Sequence, residues 1–169
     1  WVPVNYRTMA RDNAYIIDNC DVEVLFFHSD FAEEVEIIRK ECPRLKTLVS
    51  IDARVPGAEF LDDLVSSASE HDPDVETGRE AVATVFSSGG TTGLPKGVLW
   101  TNGTWEAIFN TFHVSMPAQQ PPVHLVIAPM THAAGVVAMP LFAVGATQVI
   151  LPAFDAKAVI EAIEREQVT

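Results

Sequence analysis

Short apolar runs alternate with amphipathic stretches along almost the whole of this chain, and that alternation limits its fold more than any other feature. "TMARDNAYIIDNC" (8–20) spaces Met9, Ala10, Ala14, Ile16 and Ile17 near helical intervals, and "VEVLFFH" (22–28) follows as a strand. "FAEEVEIIRKEC" (31–42) sets Phe31, Val35 and Ile38 at helical spacing with Pro43 just beyond its end. "LKTLVSID" (45–52) reads as a strand and "EFLDDLVSSASE" (59–70) as a short helix. Beyond the acidic loop "HDPDVETGRE" (71–80), strands are expected over 81–88, 98–100, 123–129 and 146–152. Helices are expected over 104–116, over 132–144 with a kink at Pro140, and over 155–167 with Asp155 as N-cap.

Strands alternating with helices imply βαβ units, so the expected class is α/β, with a mainly parallel sheet covered by helices on both faces. The loop at 71–80 divides a first α/β portion, 1–70, from a second, 81–169. Composition agrees with a packed core: 48% of the 169 residues are hydrophobic and 20% charged. Eleven basic against 23 acidic residues give a net charge of −12, which repels nucleic acid and anionic membranes. No apolar run reaches the roughly 18 residues of a membrane span. Cys20 and Cys42 have neither CxxC nor Cys/His spacing, so they read as structural thiols, no metal site is expected, and the expected compartment is a reducing cytoplasm. The chain opens without Met and "VT" falls where a further strand is due, the pattern expected of an internal piece of a longer protein.

One stretch stands apart from this rhythm. "FSSGGTTGLPKGVLWTN" (86–102) leaves a buried strand, turns through Gly89, Gly90, Gly93 and Gly97, and resumes as strand at Val98. It is not a Walker A loop, because Pro95 precedes Lys96 and Gly97 follows it. The G-x-G-x-x-G spacing fails as well. Its chemistry is nevertheless that of an anion cradle. Glycines free the backbone for positive φ and let successive N–H groups converge, while Ser88, Thr91 and Thr92 add hydroxyls and Lys96 a movable ammonium.

This stretch resembles the signature loop of the acyl-adenylate-forming superfamily, [ST]-S-G-[ST]-T-G-x-P-K-G-V followed closely by [ST]-H. Ser88, Gly90, Thr91, Thr92, Gly93, Pro95, Lys96, Gly97, Val98 and Thr101 fit. Gly89 stands where many members have Ser, and Asn102 where His is usual. "APMTHAAG" (128–135) is similar to the family's P-(L/M)-(F/Y)-H-x-x-G, with Thr131 in the aromatic position. "VPVNYRTMARDNAYII" resembles the segment that precedes the first strand in the family.

The resemblance implies a partial N-terminal domain of an acyl-CoA synthetase. Such an enzyme joins a carboxylic acid to ATP as acyl-AMP, releases pyrophosphate and passes the acyl group to CoA, with Mg²⁺ as bridging ion. It implies catalytic roles for Lys96, Thr91 and Thr92, and nucleotide binding by Ser88, Gly89, Gly90, Thr91, Thr92, Gly93, Lys96 and Gly97. His132 and Gly135 would lie beside the acid. The family's aromatic-Gly-x-[ST]-Glu and T-G-D motifs and its small C-terminal domain have no match here, so this stretch alone is expected not to complete adenylation. Peptide-synthetase adenylation domains and a non-catalytic nucleotide-binding or assembly module are the competing readings. His28, His71, His113 and His124 have no partner spacing and read as structural or surface residues, and Trp100 and Trp105 as core.

Overall fold

A computed structural model describes residues 1–88 and 94–169. It divides into two compact units, Trp1–Gly78 with Thr84–Leu99, and Arg79–Ala83 with Trp100–Thr169.

The first unit opens with α1 (Ala10–Asn19), β1 (Val24–Phe27), α2 (Ala32–Glu41), β2 (Thr47–Ser50), β3 (Glu59–Phe60) and α3 (Leu61–Ser67). β1, β2 and β3 form a parallel sheet in that order, with Leu25 opposite Leu48 and Val49 opposite Glu59. Ala14 and Ile17 of α1 and Val35 and Ile38 of α2 are buried with Leu25, Phe27 and Leu48 of the sheet in one apolar core. Cys42 belongs to that core, and its thiol donates to the Ala14 carbonyl at 3.3 Å.

Several expected boundaries shift. Met9 lies outside α1 as its N-cap and is 76% exposed, whereas Asn13 is buried. The Asn13 amide donates to the Asn5 and Thr8 carbonyls at 3.0 and 3.4 Å, which fastens the N-terminal arm to the helix. Phe31 ends a 3₁₀ turn at Ser29–Phe31, whose N-cap is the imidazole of His28, accepting from Asp30 N–H. Glu59 and Phe60 are extended, because they pair with β2 before α3 begins.

β4 (Val82–Ser87) and β5 (Gly97–Thr101) pair with each other, and the unit boundaries fall within them. The Ser88 N–H donates to the Lys96 carbonyl and the Asn102 N–H to that of Ala81, so the two strands run antiparallel.

The second unit continues with α4 (Asn102–Ser115), β6 (Val123–Val126), α5 (Ala133–Ala143), β7 (Thr147–Ile150) and α6 (Ala156–Glu166). β6 and β7 are parallel, with His124 opposite Gln148 and their side chains joined at 2.6 Å. Asp155 caps α6 as the sequence indicates, accepting from Ala158 N–H at 2.8 Å. α5 runs through Pro140. Trp100 and Trp105 are half-buried, not core, and meet edge to face at 5.3 Å. Among the described residues no helix is long and apolar enough to cross a membrane.

Candidate functional site

The mouth of the glycine-rich loop is built by β4 and β5. β4 alternates inward and outward residues and buries Thr84 and Phe86, so its end is fixed where Ser88 leaves the strand. Ser88 and Lys96 are then joined twice. The Ser88 N–H donates to the Lys96 carbonyl at 2.8 Å, and the Lys96 N–H donates to Ser88 Oγ at 3.0 Å. These bonds close the loop at its base and leave the Lys96 side chain exposed. Among the described residues no carboxylate pairs with its ammonium. A cation held on a closed base and left without a counter-ion is suited to an anion arriving from solvent. Gly89, Gly90, Thr91, Thr92 and Gly93 lie outside the described residues.

Gly97 needs one correction. It does not adopt positive φ; among the described residues the positive-φ glycines are Gly57 and Gly145. Its role is space. A Cβ there would come within 2.9 Å of the Val85 side chain and 3.8 Å of Cys20 Sγ, so the missing side chain lets β5 close against β4.

β5 passes directly into α4 through a capping box between Thr101 and Thr104. The Asn102 N–H donates to the Ala81 carbonyl and the Gly103 N–H to that of Arg79, at 2.9 and 2.8 Å. The main chain thus anchors the start of α4 directly after the loop's second strand. A Cβ on Gly103 would lie 2.8 Å from the Arg79 side chain, a constraint that spacing alone does not reveal.

His132 and Gly135 come together in the second unit. His132 is the exposed N-cap residue of α5, and its carbonyl accepts from Val136 N–H. Gly135 is buried one turn in, where a Cβ would sit 2.0 Å from the Met130 carbonyl oxygen. Close approach of the 128–132 turn to the helix therefore requires glycine. Beside this helix runs an apolar groove of about 670 Å³. α4 contributes Ala107, Ile108, Thr111 and Phe112 to its walls, and α5 contributes Val136 and Val137. Such a volume lies within the range of small-molecule pockets. Residue spacing does not reveal the groove, because the apolar residues of α4 are not confined to one face.

Neither thiol is poised for reaction. Burial pushes the Cys42 and Cys20 thiols up from their ordinary range, and neighbouring carboxylates add to the effect. No group of three or more His, Cys, Asp or Glu among the described residues could hold a metal ion.

The family model for AMP-binding enzymes matches residues 1–169. The chain belongs to the AMP-binding enzyme family. It is 29% identical over 174 residues to an indoleacetate–CoA ligase of Aromatoleum aromaticum, covering 100% of this chain and 34% of that protein. An amide bond synthetase from Marinactinospora thermotolerans superposes with a TM-score of 0.79 at 26% identity, over 99% of this chain and 33% of the other. The inhibitor-bound N-terminal domain of FACL13 from Mycobacterium tuberculosis superposes with a TM-score of 0.83 at 25% identity, over 99% of this chain and 41% of that one. The fold is thus that of part of the N-terminal domain of adenylate-forming enzymes. The chain spans about a third of the length of the curated relative.

Proposed function

We propose that this chain carries the pyrophosphate-holding loop and the acid-side helix of an ATP-dependent acid–CoA ligase. The observation that carries the reading is the double Ser88–Lys96 hydrogen bond at the base of the loop, with an exposed, carboxylate-free ammonium above it. In the proposed reaction a carboxylate oxygen bonds to the α-phosphorus of ATP. The bond from that phosphorus to the bridging oxygen breaks, and pyrophosphate leaves. Lys96 neutralises charge on the β- and γ-phosphates, and Ser88, Thr91 and Thr92 orient them, so the loop acts by positioning and electrostatics. A CoA thiol then takes the acyl group, the S–C bond forms and AMP departs.

Mg²⁺ accompanies ATP in such reactions, but the described residues offer it no carboxylate cluster. No step assigned to this chain runs through it. The acid is assigned to the second unit, where the groove adjoins the helix that starts after His132. The apolar walls favour an acid with an apolar body, and His132 positions its carboxylate. Cys20 and Cys42, both free thiols, fit a reducing cytoplasmic setting.

Calorimetric titration with ATP–Mg²⁺ tests the loop. Binding in the millimolar range or tighter is expected, weakened about tenfold by Lys96→Ala, as fits one charge-assisted contact. No heat at millimolar nucleotide supports the non-catalytic assembly module instead. A second reading, transfer of the acyl group to an amine, is favoured by the structural likeness to an amide bond synthetase. A panel of thiol and amine acceptors given to the whole parent protein separates the two.

A further inference from the structure

The C-terminal end of α5 leaves a buried carbonyl whose partner comes from α4. The last four carbonyls of a helix, here those of Pro140 to Ala143, have no partner within it. Here the Val144 N–H, which would ordinarily bond four residues back to Pro140, donates to the Leu141 carbonyl instead, at 3.2 Å. The Pro140 carbonyl is left without that helical partner, and Pro140 is buried. Its acceptor capacity is met from the other helix: the His113 imidazole lies with Nε2 2.9 Å from the Pro140 oxygen. A carbonyl can only accept, so Nε2 carries the proton, and the tautomer is fixed by geometry. The ring is held edge-on by Phe109 at 6.4 Å and Phe112 at 6.1 Å.

This bond joins the two helices that wall the apolar groove, and Phe112, next to His113 in sequence, lines it. We propose that His113 is a positioning residue that sets the separation of α4 and α5, and thereby the size of the apolar body the groove accepts. The inference rests on the reading of the groove as the acid's site. His113 does not touch the ligand; it acts through Pro140 and the placing of Val136 and Val137.

The test titrates the 169-residue protein with octanoate, decanoate and dodecanoate. The wild type is expected to prefer one chain length. His113→Leu, which keeps the volume and loses the donor, is expected to shrink the differences among the three acids to about twofold or less. His113→Gln, whose amide nitrogen can reach the same carbonyl, is expected to restore the preference. Loss of fold does not produce that pattern of loss and rescue. Should His113→Leu fail to fold, Val137→Ala enlarges the wall without touching the pin and is expected to shift preference to the longer acids. A wild-type length profile in His113→Leu, or no rescue by His113→Gln, overturns the role of His113. Failure of the wild type to bind any of the acids, or binding unchanged in Ile108→Trp, which obstructs the groove, overturns the groove reading itself and the pin with it.

Discussion

Gly135→Ala sets two effects of opposite sign against each other. Within a helix, alanine is favoured over glycine by about 1 kcal/mol, chiefly through backbone entropy. On that ground alone the change should stabilise α5. Yet the new Cβ would lie 2.0 Å from the Met130 carbonyl oxygen and 3.1 Å from its carbon. Both atoms are main chain, so no rotamer change relieves the conflict. Either the turn at 128–132 or the first turn of α5 must retreat by roughly 1 Å or more, within a close-packed interior. Overpacking of this kind costs about 1–3 kcal/mol and occasionally more. A 2.0 Å conflict with main chain falls at the upper end of that range, about 3 kcal/mol, so the steric effect wins and a net loss of about 2 kcal/mol is expected after the propensity gain. For a chain of this size that lowers the melting midpoint by about 4–8 °C. Circular dichroism melts and a urea midpoint measure it, with Gly78→Ala as the control. Nothing lies within 4 Å of a Cβ at Gly78, so the control should change stability by less than about 0.5 kcal/mol. If Gly135→Ala melts at or above the wild-type temperature, the close approach of Met130 to α5 is wrong.

Two further outcomes follow from single hydrogen bonds. The Ser29 hydroxyl donates to Asp52 at 2.6 Å, and that bond is the main reason the Asp52 carboxyl is held below its ordinary range, with smaller help from the Ser29 amide and His28. A depressed folded-state value contributes stability above the unfolded carboxylate range, lost as pH falls through the folded value. Ser29→Ala should therefore move the Asp52 titration, followed by carboxyl carbon NMR, back up towards the usual carboxylate value; an unmoved titration refutes the assignment. At α6, Asp155→Ala removes the acceptor of Ala158 N–H and should cost about 0.5–2 kcal/mol, while Asp155→Asn should retain most of it. Equal losses in both variants would show that the side chain is not capping the helix.

Much of this fold was legible because its signals are local. The Asp155 cap and the apolar runs that became β2 and β6 depend on near neighbours, and the structure reproduces them. The missed features depend on partners distant in sequence. Glu59 and Phe60 read as helix until β2 offers them hydrogen bonds. Asn13 looks like a polar interruption until its amide meets the arm at Asn5 and Thr8. His113 has no partner at any motif spacing, because its partner is the Pro140 carbonyl on another helix.

The glycines teach the same lesson about the site. A glycine-rich pattern invites the argument that the backbone needs positive φ, yet Gly97 and Gly135 are not among the positive-φ residues of the described chain. Both are required by a neighbour that occupies the place of a side chain, Val85 for the first and the Met130 carbonyl for the second. Sequence reports that a side chain is missing, but only packing reports why. The two causes differ in what they forbid. Positive φ strains L-residues with a Cβ whatever surrounds them, whereas a crowded glycine can be relieved by trimming its neighbour. Val85→Ala should therefore make Gly97→Ala tolerable, and no side-chain substitution should do so at Gly135, because the obstacle there is backbone.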